Sequence, residues 1–131
     1  MHAFLVELEN KPGGLATIGE TLGKRGVNIE NIAGAACGTS GRVTIITSDD
    51  TAAREAFATL GTKVDELEVV EASLPHQPGS LGKAARRLAD AGVNVESILP
   101  MGMTGGEVTV GFITNNPAKT REILSTVTAR S

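Results

Sequence analysis

Two different hydrophobic periods follow one another at the start of the chain. Phe4, Val6 and Leu8 recur at every second position, with Glu7 and Glu9 between and after them, which is the two-residue period of a half-buried strand. After a Pro-Gly pair, Leu15, Ile18 and Leu22 recur at helical spacing (i, i+3, i+7). The pattern therefore predicts a first strand, a sharp turn and an amphipathic helix.

The residues after this helix predict a hairpin. Gly26 follows the helix at the position where a positive φ favours glycine. Residues 27–32 are rich in β-branched side chains and predict a second strand. A turn cluster at 38–41 separates it from a third strand at 42–47, so that the two strands form a hairpin.

The first half of the chain ends with a second helix and a long extended segment. Asp49 or Asp50 is placed to cap this helix, which Gly61 stops. Residues 63–74 read as extended throughout. The element order of this half is therefore β-α-β-β-α, with a possible closing strand.

The second half of the chain repeats the first at an offset of 66 residues. Nine of 21 positions are identical between residues 12–32 and 78–98, which indicates a duplication. Only two copies are present and a 66-residue period exceeds that of the usual solenoid repeats, so we predict two small domains, 1–67 and 68–131. The identical pairs are Pro12/Pro78, Gly13/Gly79, Leu15/Leu81, Leu22/Leu88, Gly26/Gly92, Val27/Val93, Asn28/Asn94, Glu30/Glu96 and Ile32/Ile98.

The alignment of the two copies is less regular beyond these residues. With a one-residue gap, Val43 pairs with Val108, and the original offset returns at Asp50 with Asn116. Asn116 is the predicted cap of the last helix, and Pro117 is its first residue, where the missing proline N–H costs nothing. The apolar side of that helix is formed by Ile123, Leu124 and Val127.

This element order predicts an α+β protein of two tandem ferredoxin-like modules, each an antiparallel sheet with its helices on one face. Few residues follow Leu124, so the second module lacks its final strand or takes it from another segment. An open or borrowed sheet edge favours self-association, and we expect a homodimer.

Composition excludes several classes of protein. The net charge is −3 and aromatic residues make up 2%, which argues against a nucleic-acid partner. No apolar run is long enough for a membrane span, and no secretory signal is evident, so we expect a cytoplasmic protein. One cysteine and two distant histidines predict no metal, no cofactor and no catalytic nucleophile–base pair.

Both copies place a Pro-Gly turn between a strand and the start of a helix. A helix N-terminus presents N–H groups without intrahelical acceptors and the positive end of the helix dipole, so a carboxylate is a suitable guest there. Asn28 and Asn94 start the next strand, and an asparagine side chain can bind a carboxylate and an ammonium group together. A purely structural turn is the alternative interpretation of each motif.

These motifs resemble those of ACT domains, the small βαββαβ regulatory modules of amino-acid biosynthetic enzymes. The family signature is N-x-P-G-x-L followed by G-V-N-I, found here at Asn10–Leu15 and Gly26–Ile29. The second copy keeps P-G-x-L and G-V-N at residues 78–81 and 92–94, but His76 replaces the leading asparagine. The resemblance covers residues 4–74 and 67–127.

The resemblance implies a regulatory protein that binds a free amino acid and has no catalytic activity. In such domains the ligand lies between the Pro-Gly turn of one domain and the second strand of a neighbour, in the same chain or in another. An interaction or dimerisation module without a small ligand is the alternative. The binding residues that the resemblance implies are Asn10, Gly13, Gly14, Leu15, Asn28 and Ile29 in the first copy and His76, Gly79, Ser80, Leu81, Asn94 and Val95 in the second.

Overall fold

A computed structural model of the protein describes residues 1–128, with side chains through Ser125. The side chain of Val127 and the last three residues of the predicted second domain therefore lie outside the described part. Contacts divide the chain into a first unit, residues 2–67, and a second unit, Met1 with the residues from Glu68 onward. The strands are β1 (His2–Glu9), β2 (Ile29–Cys37), β3 (Ser40–Thr47), β4 (Val64–Glu68), β5 (Val70–Pro75), β6 (Val95–Thr104) and β7 (Glu107–Thr114), and the helices are α1 (Gly14–Lys24), α2 (Asp50–Ala58), α3 (Ser80–Asp90) and α4 (Pro117–Thr128).

The first unit is a four-stranded sheet with the order β2-β3-β1-β4. β3 pairs antiparallel with both β1 and β2. Alternate strand residues such as Phe4 and Ile45 point to one face, where they pack against α1 and α2. The rings of Phe4 and Phe57 lie 5.1 Å apart and join β1 to α2. Burial of this single apolar face holds both helices on the same side of the sheet.

The second unit repeats this arrangement with three strands in the order β5-β7-β6. Its core joins Leu74 and Phe112 of the sheet to Leu88 of α3 and Leu124 of α4. The order corresponds to β1-β3-β2 of the first unit, and no fourth strand is present among residues 68–128. The predicted fold class, α+β with two ferredoxin-like modules, is confirmed.

The end of α1 explains the glycine that the sequence places there. Gly26 has φ 69°, a left-handed conformation, and its N–H donates to the carbonyl of Gly23 at 3.0 Å. The N–H of Val27 donates to the carbonyl of Leu22 at 3.1 Å. This pair of bonds is a Schellman motif, which satisfies the last carbonyls of the helix. Gly92 ends α3 in the same way, with φ 75°.

A polar side chain caps the N-terminus of α2 and of α4. Asp49 accepts a hydrogen bond from the N–H of Ala52 at 3.0 Å, which decides between the two predicted aspartates. Asn116 accepts from the N–H of Lys119 at 3.1 Å, and α4 begins at Pro117 as predicted. Each side chain satisfies a donor that the helix itself leaves without an acceptor.

The predicted alignment of the two copies beyond the second strand is wrong. Phe4 pairs with Ile45, and the equivalent Val70 pairs with Phe112, so the third strands correspond at an offset of 67 residues. The additional residue is Met101, which lies at a register shift between Pro100 and Gly102. Such a bulge inserts one unpaired residue and bends the strand locally, while the pairing with β7 continues on both sides. Val43 therefore corresponds to Val110 rather than Val108, and Asp49 to Asn116.

No helix in the described part of the chain has both the length and the apolar character that a bilayer crossing requires.

Candidate functional site

The Pro-Gly turn of the first unit is a tight connection between β1 and α1. Gly13 is the N-cap of α1 and has φ 92°, where a side chain would be strained. The N–H of Gly14 donates to the carbonyl of Lys11 at 3.2 Å. A Cβ on Gly14 would lie 2.8 Å from the carbonyl oxygen of Glu9, so the turn has no room for a side chain there. Both glycines therefore have a structural reason to be present.

The second unit builds the same turn before α3. Gly79 is the N-cap with φ 90°, and the N–H of Ser80 donates to the carbonyl of Gln77 at 3.3 Å. Ser80 stands where the first unit has Gly14. The two turns thus share their backbone conformation and differ in the side chain at the first helical position.

No side chain caps α1 or α3 among the described residues, in contrast to α2 and α4. Their first turns also contain no acidic residue. The N–H groups of Leu15 and Ala16, and of Leu81 and Gly82, have no acceptor within their own helices. The two helices that follow Pro-Gly turns therefore keep donors that an external carboxylate can accept from.

Leu15 and Leu81 lie in the first turns of these helices and are mostly exposed, at 54% and 51%. The helical spacing predicts Leu15 on the apolar face of α1, but the buried residues of that helix are Ile18 and Leu22. The two leucines form apolar borders beside the free N–H groups.

The charge of Lys11 in the first turn is already neutralised. Its ammonium lies 2.8 Å from the carboxylate of Glu9. The hydrogen bond from Lys11, together with its positive charge, lowers the pKa of the Glu9 carboxyl. Because both side chains are exposed, this pair is a weak contributor to stability.

The side chain of Asn10 has a structural partner. Its Nδ2 donates to the carbonyl of Gly38 at 2.9 Å, and its backbone N–H donates to the carbonyl of Thr39 at 3.0 Å. His76 keeps only the backbone bond, to the carbonyl of Gly106 at 2.8 Å. The asparagine of the motif therefore ties the turn to the β2–β3 hairpin, and the second unit lacks that side-chain link.

Asn28 and Asn94 are held by their backbones and leave their side chains exposed. The N–H of Asn28 donates to Oγ of Ser48 at 2.9 Å, and its carbonyl accepts from the N–H of Ser48 at 2.9 Å. Asn94 forms the matching pair of bonds with Asn115. Within residues 1–128 neither asparagine side chain has a hydrogen-bond partner, so both remain able to bind a ligand.

The structure splits the predicted residues of each unit into two groups. Asn10, Gly13, Gly14 and Leu15 lie at the start of α1, whereas Asn28 and the half-buried Ile29 follow its end. The 11 residues of α1 separate these groups by about 16 Å. The second unit separates its members in the same way: His76, Gly79, Ser80 and Leu81 lie before α3, and Asn94 and Val95 after it. One unit alone therefore does not bring its two groups together.

A groove in the second unit was not predicted from the sequence. It has a volume of about 1060 Å³ and runs from the Pro-Gly turn along α3. Gly79 and Ser80 line it, together with the cations Lys83, Arg86 and Arg87. A sequence signal did exist, because these cations recur at i, i+3 and i+4 on a helix.

His2, Asp50 and Glu66 form a second unpredicted cluster, whose ligand atoms all lie within 4.8 Å of one another. Arg54 already donates to both oxygens of Glu66, at 3.0 and 2.6 Å. These hydrogen bonds lower the pKa of the Glu66 carboxyl. Both oxygens of Glu66 are thus engaged by Arg54, and Nδ1 of His2 lies 3.5 Å from the same carboxylate, so the cluster is a network of polar and ionic contacts in this structure.

The sequence model of the ACT domain matches residues 2–74, more than half of the chain. The chain belongs to the ACT domain family. The match contains the first unit with its Pro-Gly turn and the start of the second unit. No functionally curated protein matches the chain.

Solved structures share the fold over nearly the whole chain. Protein BT0572 from Bacteroides thetaiotaomicron is 28% identical, with a TM-score of 0.79, over 95% of this chain and 86% of that one. The regulatory subunit of aspartate kinase from Thermus thermophilus, in its ligand-free form, is 17% identical with a TM-score of 0.67, over 96% and 91%. The same subunit from Thermus flavus is 21% identical with a TM-score of 0.66, over 98% and 91%. At their low identity, the two kinase subunits show similarity of fold alone.

Proposed function

We propose that this protein is a cytoplasmic regulatory protein that binds a free amino acid and has no catalytic activity. Each unit acts as an ACT module, with domains at residues 1–67 and 68–131. The bound amino acid changes the surface that the protein presents to a regulated partner.

One observation carries this proposal: the two Pro-Gly turns each precede a helix without a side-chain cap, while both other helices are capped. A side-chain cap occupies one of the N–H donors at a helix start, whereas a helix without a cap leaves that donor for a ligand. The α-carboxylate of an amino acid supplies the missing acceptors at Gly13–Leu15 or Gly79–Leu81. Membership of the ACT family supports the same assignment for the first turn.

The ammonium group requires a second set of contacts. The exposed side-chain carbonyls of Asn28 and Asn94 are suitable acceptors. Because about 16 Å separates the turn from Asn28 in one unit, a single amino acid cannot reach both. We infer that a turn and an asparagine from two different ACT modules form each site.

A thermal-shift screen against the common amino acids, followed by calorimetry, tests the proposal. A ligand at 100 times its Kd stabilises the folded protein by about 2.7 kcal/mol. We expect at least one amino acid to do so. If none stabilises or binds, the proposal is wrong.

Two charge variants locate the site. Leu15→Glu and Leu81→Glu place a carboxylate beside the free N–H groups, at exposed positions where folding tolerates it. Each variant repels the ligand carboxylate and weakens binding at its own site at least tenfold. Thr51→Glu and Ala118→Glu add the same charge to the first turns of the capped helices and serve as matched controls that leave affinity unchanged.

Asn28→Ala and Asn94→Ala test the ammonium contact separately. The backbone hydrogen bonds of these residues survive the substitution, so the fold is retained. Loss of a hydrogen bond to a charged group weakens binding by about 1.5–3 kcal/mol. Unchanged affinity in both variants would remove the asparagines from the site.

An exposed isoleucine at the same position of both units favours a second candidate function. The protein would then be an interaction or homodimerisation module without a small ligand. Ile32 and Ile98 occupy equivalent positions on β2 and β6, strands at an edge of their own sheets, and both are exposed. Light scattering at micromolar concentration tests for the homodimer. A stable complex together with no response to any amino acid would favour this candidate over the first.

A further inference from the structure

The groove of the second unit carries a concentration of unpaired positive charge. Lys83, Arg86 and Arg87 all line it. Among residues 1–128 the other arginines, and Lys11 and Lys119, form ion pairs, but these three cations form none. The protein as a whole has a net charge of −3. Three unpaired cations gathered in one concave surface are therefore unlike the rest of the molecule.

The three cations lie on one face of α3, on the side that borders the groove. Residues at i, i+3 and i+4 share a helix face, and helical side chains lean toward the N-terminus. The cationic groups of α3 therefore extend toward the turn at Gly79 and Ser80, which lines the same groove. Glu107, the first residue of β7, is the one carboxylate among the described residues that line the groove.

The first unit shows that the fold does not need these charges. Its equivalent helix positions hold Thr17, Glu20 and Thr21. Both threonines bond to the helix backbone, Thr17 to the carbonyl of Gly13 at 3.0 Å and Thr21 to that of Thr17 at 2.6 Å. The first unit thus has the same fold with no positive charge at these three positions. The fold does not require the cations, which occur in the second unit alone.

We propose that this groove binds an amino acid whose side chain carries a second anionic group, a carboxylate or a phosphate. The inference rests on the proposed function and specifies the ligand class of the second site. The turn at Gly79 binds the α-carboxylate, and the cations of α3 bind the side-chain anion. Glu107 adds an acceptor for the ammonium group beside the asparagine of the neighbouring module. Charge-assisted hydrogen bonds from arginine and lysine favour such a group over a neutral one.

Calorimetry with the full chain compares ligands that differ mainly in charge. The pairs are L-aspartate with L-asparagine and O-phospho-L-serine with L-serine, and they distinguish the carboxylate from the phosphate. We expect the anionic member of at least one pair to bind at least tenfold more tightly. Its advantage falls as salt is raised, because salt screens the cations.

A variant pair with equal charge change supplies the control. Arg86→Gln with Arg87→Thr removes two groove cations, and we expect it to lower affinity for the anionic ligand at least tenfold. Lys24→Gln with Lys63→Gln removes two cations of the first unit that line no part of this groove, and it leaves affinity unchanged. Circular dichroism confirms that both variants are folded.

The outcomes separate this inference from the function on which it rests. If neutral and anionic amino acids bind equally, or if the groove variant and its control behave alike, the inference is wrong and the proposed function stands. If no amino acid binds at all, the proposed function fails and the inference fails with it. A preference for the anionic ligand that the groove variant abolishes supports both.

Discussion

The side-chain Nδ2 of Asn10 donates a hydrogen bond to the carbonyl of Gly38, 2.9 Å away. This bond joins the end of β1 to the turn between β2 and β3, two segments separated by 28 residues. The leading asparagine of the motif therefore holds the loop region beside the candidate site and does not cap α1.

Asn10→Ala should lower the free energy of unfolding by about 0.5–1.5 kcal/mol, since it removes a single hydrogen bond. Urea denaturation measures the change. His76→Ala is the matched control, because the His76 side chain has no such bond in the described structure and its loss should change stability by less than about 0.5 kcal/mol. Equal losses in both variants would contradict the role assigned to Asn10.

Gly23 lies inside α1 and Gly26 just after its end, and we expect substitution by alanine to have opposite effects on stability at these two positions. Gly26 has φ 69°, so Gly26→Ala should destabilise the protein by about 1–2 kcal/mol. Gly23 is helical with open space around its Cα, so Gly23→Ala should stabilise by about 0.5–1 kcal/mol. Thermal and urea unfolding of the two variants measure both effects. A loss of stability in both would mean that α1 ends elsewhere.

The N-cap of α2 predicts different losses of stability for alanine substitutions at Asp49 and at Thr51. Asp49→Ala removes the acceptor for the N–H of Ala52 and should cost about 1 kcal/mol. Thr51→Ala, two residues along at an exposed position, should change stability by less than about 0.5 kcal/mol. If Thr51→Ala proved as costly in urea denaturation, the capping assignment would be wrong.

Much of the fold follows from local signals. Period-two and helical patterns located the elements, and Gly26 and Asn116 marked helix boundaries that the structure confirms. These features depend on residues close in sequence, where backbone sterics and hydrogen bonding decide the outcome. The duplication supported each of them twice.

The errors and omissions concern relations between distant residues. The alignment of Val43 with Val108 matched similar residues but missed the bulge at Met101, since strand pairing decides register and sequence identity does not. The bond from Asn10 to Gly38 also joins distant segments. No local pattern contains such information.

The sequence predicts a set of candidate residues but not how they are arranged in space. The motifs located both turns and both asparagines, yet the structure places Gly13 and Asn28 at opposite ends of α1. The charge difference between Lys83 and its counterpart Thr17 was visible in the sequence. That the three cations line one groove could be seen only in the structure.

Acid should remove a specific contribution to the stability of the first unit. Arg54 donates hydrogen bonds to both oxygens of Glu66 and thereby lowers the pKa of that carboxyl. A carboxyl with a lowered pKa in the folded state stabilises the protein above its unfolded pKa, about 4.3 for glutamate. That contribution disappears as the pH falls through the lower, folded pKa.

Arg54→Gln removes the positive charge and should return the pKa of Glu66 toward its ordinary value. The difference in unfolding free energy between wild type and variant should then be constant near neutral pH and shrink below about pH 4.3. Urea denaturation across the acid range measures this difference, and a carbon-detected NMR titration of the Glu66 carboxyl measures the pKa directly. In a Glu66→Gln background the same arginine substitution should show no such acid dependence, because the titrating partner is gone. Parallel stability curves for wild type and Arg54→Gln down to pH 3, with unshifted Glu66 titrations, would show that the two side chains are not coupled in solution.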